Sequence, residues 1–222
     1  MPSGLFITGT GTGVGKTYVG ALIARALHAD GKRVGVYKPA ASGCETREGR
    51  LVSQDAEALW LAAGRPGTLE AVCPQLFAAA VAPHLAARAE GKRVDAKLLR
   101  DGIHFWRETS DVVIVEGAGG LMSPVSDDDF NADLAEEFGY PLVVVAANEL
   151  GTINSTLQTL ITAATYRDGL KVAGIVLNSP RAHADDASVD SNPDEIARRC
   201  VPPLMAMVEY TGGLDRDVDW QM

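Results

Sequence analysis

Residues 9–17 read Gly-Thr-Gly-Thr-Gly-Val-Gly-Lys-Thr and follow the apolar run Leu5-Phe6-Ile7 directly. A buried strand that breaks into a glycine loop ending in Gly-Lys-Thr is a nucleotide-phosphate cradle. The glycines let backbone N–H groups converge on phosphate oxygens, Lys16 supplies a positive charge, and the Thr17 hydroxyl reaches a magnesium ion. The next segment, 17–29, has a helical pattern and turns its positive N-terminal end toward the same oxygens. Here five residues separate Gly9 from Gly15, one more than in the usual form of this loop.

Outward from the loop, apolar runs alternate with helical patterns. Strands are predicted at 5–8, 34–38, 112–115, 142–146, 172–177 and 204–208. Most are Val/Ile-rich and lack alternation, as strands covered on both faces do. Helices are predicted at 17–29, 55–63, 82–90, 97–108, 132–137, 152–167 and 194–200, the first stopped by Asp30-Gly31 and the sixth by Arg167-Asp168-Gly169. This alternation predicts an α/β, single-domain P-loop fold over residues 1–222: a mainly parallel sheet with helices on both faces. The stretch 179–193, rich in Asp, Ala and Ser, reads as an exposed loop or lid.

The chain has 222 residues, 46% of them apolar and 22% charged, with a net charge of −9. That balance argues against nucleic acid or an anionic membrane as partner, though a local glycine nest with lysines can still hold an anion. No apolar run approaches the roughly 20 residues of a membrane span. The opening Met-Pro-Ser-Gly lacks the charged region of a secretory signal, so a cytoplasmic location is the expectation. Cys44, Cys73 and Cys200 have no metal-binding spacing and read as packing residues of a reducing compartment. His28, His84, His104 and His183 are scattered and read as structural or surface groups.

Ligands of parallel sheets bind at the carboxyl ends of the strands, so the residues just after each run matter most. After the second run comes Lys38-Pro39-Ala40-Ala41-Ser42-Gly43. A lysine there either snorkels at the sheet edge or adds a second charge on a phosphoryl group or an anionic intermediate. Asp55 opens a helix pattern, where it is either a helix-start acid or a magnesium ligand. The third run ends in Glu116-Gly117-Ala118-Gly119-Gly120, a strand-end carboxylate suited to magnesium beside a turn that lets backbone approach a ligand. Asp127, Asp128 and Asp129 read as a solvated turn. Gly151, Thr152, Ile153 and Asn154 begin a helix, either as an ordinary helix start or as an anion site of free N–H groups. Asn178 either forms a turn or offers the donor and acceptor that read an adenine edge.

Taken in order, these residues resemble the dethiobiotin synthetase family. The loop at 9–17 is similar to that family's phosphate loop with its extra residue, and 38–43 resembles its Lys-Pro-x-x-Ser/Thr-Gly signature. Asp55, the Val-Glu-Gly-Ala-Gly-Gly run at 115–120 and the Leu-Gly-Thr-Ile-Asn run at 150–154 follow in family order, and the Ala82-Pro83-His84 step resembles the family's Pro-His at a helix start. The resemblance runs from about residue 4 to residue 178. It implies an ATP- and Mg2+-dependent homodimeric ligase that joins CO2 to 7,8-diaminononanoate and closes a cyclic urea through a phosphorylated carbamate. By resemblance Lys16, Lys38 and Thr12 are catalytic. Gly13, Val14, Gly15, Lys16, Thr17 and Tyr18, with Asp55, Glu116, Gly117, Ala118, Gly119 and Asn178, form the nucleotide site. Thr17, Asp55 and Glu116 hold the metal. Thr12 and Ser42 contact substrate at the reacting end, while Gly151, Thr152, Ile153 and Asn154 receive its carboxylate tail from the neighbouring subunit. Gly13 stands where some members carry Glu, and Val208-Glu209-Tyr210 where some carry Pro.

Two other classes share such a loop. Cobalamin-precursor amidation enzymes fuse it to a glutaminase domain, for which this chain has no room. Partition and septum-positioning ATPases carry a further lysine early in the loop, and positions 9–15 hold none. Retention of Lys16, Lys38 and Glu116 argues against a catalytically silent homologue.

Overall fold

Leu5, Phe6 and Ile7 are all fully buried, which a sheet with one solvated face does not allow. The computed structural model describes residues 2–182 and 186–221, so His183 lies outside the described residues. In chain order the elements are β1 (Ser3–Gly9), α1 (Lys16–Ala29), β2 (Val34–Tyr37), β3 (Glu45–Arg47), β4 (Arg50–Val52), α2 (Gln54–Ala62), α3 (Leu69–Val72), α4 (Pro83–Ala89), α5 (Ala96–Thr109), β5 (Val112–Glu116), α6 (Asn131–Phe138), β6 (Leu142–Ala147), α7 (Thr152–Thr165), β7 (Val172–Asn178), α8 (Asn192–Arg199) and β8 (Leu204–Val208). Six strands form one sheet in the order β2-β5-β1-β6-β7-β8, parallel throughout. This is the predicted α/β class. Each buried Val, Ile, Leu or Phe of the sheet contributes about 1.5–3 kcal/mol by leaving water.

The register decides what the sheet presents at its carboxyl edge. Ile7 pairs with Glu116 and Tyr37 with Val115, so Lys38, the next residue, comes level with Glu116. On the other side of β1, Ala147 pairs with Asn178 and Asn178 with Val208. The chain moves to one side of β1 after α1 and crosses to the other after β5. Such a reversal of direction is where open α/β sheets bind ligands.

Some of the structure departs from the prediction. The antiparallel β3–β4 hairpin lies where the sequence predicts no strand. Its strands have three residues each and are largely exposed, so they carry no apolar period to read. Its turn puts Glu48 and Gly49 at φ 51° and 77°, the primed geometry that suits a two-residue hairpin. The four-residue α3 was also unforeseen. The 179–193 stretch is less open than expected, with Ser179 and Asn192 buried and α8 beginning at Asn192.

The opposite, amino-terminal edge is pinned by Arg33, whose guanidinium meets the Asp111 carboxylate at 2.6 Å and whose backbone N–H donates to it at 2.9 Å. These bonds hold the Asp111 carboxyl down to about 2. A carboxyl lowered on folding adds stability that is complete above its unfolded value and fades as pH falls through the folded one. Asp111→Asn is therefore expected to lower the melting temperature slightly at neutral pH. The gap to wild type closes as pH drops from about 4 to about 2. A gap that persists at pH 2 in thermal melts refutes this assignment.

Candidate functional site

The phosphate loop leaves β1 and enters α1 through two left-handed glycines, Gly13 at φ 78° and Gly15 at φ 91°. No side chain caps α1 at Gly15, so the first N–H groups of the helix remain available to an outside acceptor. Lys16 is buried, and its ammonium folds back onto the Gly11 carbonyl at 2.9 Å. Burial lowers its pKa, opposed by Glu116 and reinforced by Lys38. A lysine held this way exchanges one carbonyl for a phosphate oxygen with little rearrangement.

Glu116 is the hub of the site. It is 1% exposed at the end of β5. Its Oε1 accepts from the Thr17 hydroxyl at 2.9 Å and from the Lys38 ammonium at 2.5 Å. Lys38 also meets Asp55 at 3.0 Å. Burial by itself would push Lys38 down, but Glu116 and Asp55 outweigh it and hold the ammonium above its ordinary value. Asp55 is in turn lowered: burial opposes ionisation, and Lys38, Thr17 and Lys16 overcome it. Sequence reasoning left Asp55 open between two roles. Its contact with Lys38 brings it into the site, one residue inside α2 behind the Ser53 cap.

One buried atom here lacks a partner. Glu116 Oε2 accepts nothing, although a buried carboxylate oxygen ordinarily finds a donor or a cation. The Asp55 side chain beside it is about half open, at 52% exposure. Together with the Thr17 hydroxyl these are hard oxygen donors, which suit magnesium. They are too few for a closed protein cage, as expected for an ion that keeps waters and substrate phosphates as ligands. Among the described residues no cluster of three or more His, Cys, Asp or Glu is placed to hold a metal. Asp127 and Asp129 are instead paired with Arg88 and Arg100.

A cavity of about 340 Å3 gathers Thr12, Gly13, Gly15, Lys16, Thr17, Lys38, Ser42, Asp55, Glu116, Gly117, Ala118 and Gly119. Thr12 also lines a second cleft, of about 390 Å3, between the phosphate loop, residues 120–124 and the flank of α7. Thr12 thus stands on the rim between the two. Gly151, Thr152, Ile153 and Asn154 line neither cleft of their own chain. Gly151 caps α7 at φ 97° without a side-chain bond, and the Thr152 N–H donates to the Glu149 carbonyl at 3.1 Å.

Asn178 has a more definite position than either of its sequence readings. Its Nδ2 donates to the Val14 carbonyl at 2.9 Å, while its buried Oδ1 has no partner. One N–H of that amide props the phosphate loop, and the oxygen remains as a free acceptor. Val14 is buried inside the loop, and Tyr18, exposed on α1, donates its hydroxyl to the Gly212 carbonyl at 2.7 Å. Cys73 packs in the core, where burial pushes its thiol up to about 12.

Sequence reasoning missed Asn131. Fully buried at the start of α6, it donates to the Ala118 and Gly120 carbonyls at 2.8 and 2.7 Å and accepts from the Ala118 N–H at 3.1 Å. It therefore moulds the 117–120 turn, which approaches the phosphate loop so closely that a Cβ at Gly120 would lie 3.2 Å from the Gly9 carbonyl oxygen. An Asn at a helix start reads as an ordinary cap, so the sequence held no stronger signal. Asn131→Ala strands two carbonyls and an amide of the half-buried residues Ala118 and Gly120. Each unsatisfied group costs about 1–3 kcal/mol, and urea unfolding is expected to show a loss of at least ~2 kcal/mol. A loss below ~0.5 kcal/mol would mean that water replaces the side chain.

A family model described as an AAA domain matches residues 3–217. An ATP-dependent dethiobiotin synthetase BioD of Rhodopirellula baltica is 44% identical, over 96% of this chain and 86% of its own. One of Anaeromyxobacter dehalogenans is 46% identical over 96% and 92%, and one of Aromatoleum aromaticum 35% over 96% and 93%. Among solved structures, the septum site-determining protein MinD of Pyrococcus horikoshii superposes with a TM-score of 0.55 at 17% identity, covering 94% of this chain and 82% of that one. A ParA family ATPase of Chlorobium tepidum gives 0.55 at 18% over 95% and 84%. At those identities the structures share the fold alone.

Proposed function

The chain belongs to the dethiobiotin synthetase family, and on that premise we propose that it uses ATP to convert 7,8-diaminononanoate and CO2 into dethiobiotin, ADP and phosphate. The observation that carries this reading is the buried Lys38 ammonium, fixed between Glu116 and Asp55 in the cavity that Lys16 and Thr12 also line. A partition-type switch ATPase carries its further lysine within the phosphate loop, whereas positions 9–15 hold none here and the second cation stands just after β2. A second, immobilised cation suits a reaction in which an anionic nucleophile must approach an anionic phosphoryl group.

In this reading one amine of the substrate combines with CO2 to give a carbamate, losing a proton. A carbamate oxygen attacks the γ-phosphorus of ATP and ADP leaves. Lys16 neutralises the β- and γ-phosphate oxygens, and Lys38 bridges carbamate and transferred phosphoryl. The second amine then attacks the carbonyl carbon of the mixed anhydride, phosphate departs and the ring closes. Thr12 and Ser42 orient the amines, and holding amine and anhydride together supplies much of the remaining rate. Thr17, Asp55 and Glu116 would hold magnesium, which supplies charge neutralisation at the phosphates. The Asn178 oxygen accepts from the exocyclic amine of adenine.

That Gly151 to Asn154 line neither cleft of their own chain supports a composite site, in which α7 of one subunit receives the carboxylate tail of substrate bound in its partner. Protein given ATP, magnesium, bicarbonate and 7,8-diaminononanoate is expected to release phosphate and dethiobiotin. Absence of diamine-dependent phosphate release overturns the reading. Mixing Lys16→Ala chains with Asn154→Asp chains, whose added charge repels the tail, tests the sharing. Random exchange leaves one intact site in each mixed dimer, hence about a quarter of wild-type activity. No recovery after verified exchange refutes the composite site.

A further inference from the structure

The segment that leads into α7 is held largely by residues 186–192, with Arg181 pairing with the Glu149 carboxylate. Asn192, 2% exposed at the first position of α8, donates through Nδ2 to the Asn148 side-chain oxygen at 2.9 Å and to the Glu149 carbonyl at 3.3 Å. Asn148, also buried, donates its backbone N–H to the Asn178 carbonyl at 2.7 Å. Its side chain donates to the Val189 carbonyl at 3.4 Å. The Leu150 N–H donates to the Asp186 carboxylate at 2.9 Å. The Ser188 hydroxyl accepts from Asn192 at 3.3 Å and donates to Asp186 at 2.6 Å. The Glu149 carbonyl that Asn192 holds is also the acceptor for the Thr152 N–H at 3.1 Å. Asn192 therefore fixes both the path of residues 148–149 and the acceptor that orients the first amide of α7.

On α7 itself the Ser155 hydroxyl donates to the Gly151 and Thr152 carbonyls at 3.3 and 3.1 Å, leaving the Glu149 carbonyl to Asn192. Gly151 caps the helix without a side-chain bond, and Leu150 projects at 83% exposure. A left-handed glycine with no side-chain cap is free to reorient unless its flanks are held. A set of backbone N–H groups binds an anion tightly only when they point to one place beforehand.

We infer that Asn192 is a positioning residue for the substrate's carboxylate tail. It acts through Asn148 and the Glu149 carbonyl to preset the amides of Ile153 and Asn154. This rests on the composite-site reading above. The inference separates recognition of the tail from the chemistry at Lys38, since Asn192 lines neither cleft of the site.

Asn192→Asp keeps the size of the side chain but turns a donor into an acceptor facing three oxygens. The test compares steady-state rates with 7,8-diaminononanoate and with its carboxamide analogue, which has the same diamine and a neutral tail. For Asn192→Asp the KM of the acid is expected to rise about 10-fold, with kcat and the KM of ATP within about 2-fold of wild type. For the carboxamide, wild type and variant are expected to agree within about 2-fold. A merely structural role would weaken both substrates, or ATP, alike. Ser188→Ala removes a half-buried hydroxyl at the edge of the same network. It is expected to move the acid KM in the same direction by about 3-fold, so a poorly folded Asn192→Asp leaves the inference testable. Wild type without diamine-dependent phosphate release overturns the parent reading and this inference with it. Wild type that turns over, while Asn192→Asp and Ser188→Ala discriminate acid from carboxamide as well as it does, overturns this inference alone.

Discussion

Replacing Lys38 with methionine is expected to lower turnover by about 10²–10³-fold while changing ATP affinity less than ~3-fold. The two effects separate because the phosphate loop has its own contacts. Lys16, the free amides at the start of α1 and the Thr17 hydroxyl are arranged without Lys38. What methionine removes is the cation that meets charge developing between carbamate and phosphoryl group. Losing a preorganised electrostatic donor of that kind raises the barrier by about 3–4 kcal/mol. There is a second consequence. Lys38 lies between two carboxylates, so its removal leaves Glu116 buried with only Thr17 as donor. Breaking a buried pair costs up to about 3–5 kcal/mol. Only the Asp55 side of the arrangement, half open to water and screened, escapes that cost. The variant must therefore be compared below its own melting temperature, with ATP binding read by calorimetry. Parallel loss of binding and turnover would reduce Lys38 to a nucleotide anchor and remove the main support for carbamate activation.

The residues of this site were legible one at a time because parallel strands are apolar throughout and end abruptly. Lys38, Glu116 and Asn178 each stand where a Val/Ile run stops, at the edge where such sheets bind ligands. Their mutual positions could not be read from the sequence. Whether Lys38 meets Glu116 depends on β5 lying between β2 and β1, a pairing between segments 78 residues apart. The helical pattern from Asp55 gave its place on α2 but not its partner. Asn178 illustrates the same limit. A strand-end Asn offers a donor and an acceptor to any ligand, until packing commits the donor to Val14. The bracing asparagines, Asn131, Asn148 and Asn192, were invisible because a single buried amide leaves no period in the sequence. The β3–β4 hairpin was missed for the opposite reason, being too short and too exposed to show one.

Gly15→Ala is expected to weaken ATP binding by at least about 100-fold, through two strains that a second substitution separates. The first lies in the backbone: Gly15 has φ 91°, where an L side chain costs roughly 1–2 kcal/mol. The second is contact: a Cβ at Gly15 would lie 2.1 Å from Asn178 Nδ2 and 3.1 Å from its Cγ. Asn178 cannot swing aside freely, being 2% exposed and bonded to the Val14 carbonyl. The loop must therefore move, and with it the amides that cradle phosphate. Gly15→Ala/Asn178→Gly removes the contact but keeps the backbone strain. It is expected to recover about 10-fold of the lost affinity relative to Gly15→Ala, one factor of 10 being about 1.4 kcal/mol. Asn178→Gly by itself is expected to weaken ATP, since the loop loses its prop and the base its acceptor. Its sign relative to wild type is thus opposite to its sign in the Gly15→Ala background. Binding titrations of the four proteins measure that reversal. If Asn178→Gly weakens binding equally in both backgrounds, the asparagine does not press on a Cβ at position 15, and the lost affinity of Gly15→Ala comes from backbone strain alone.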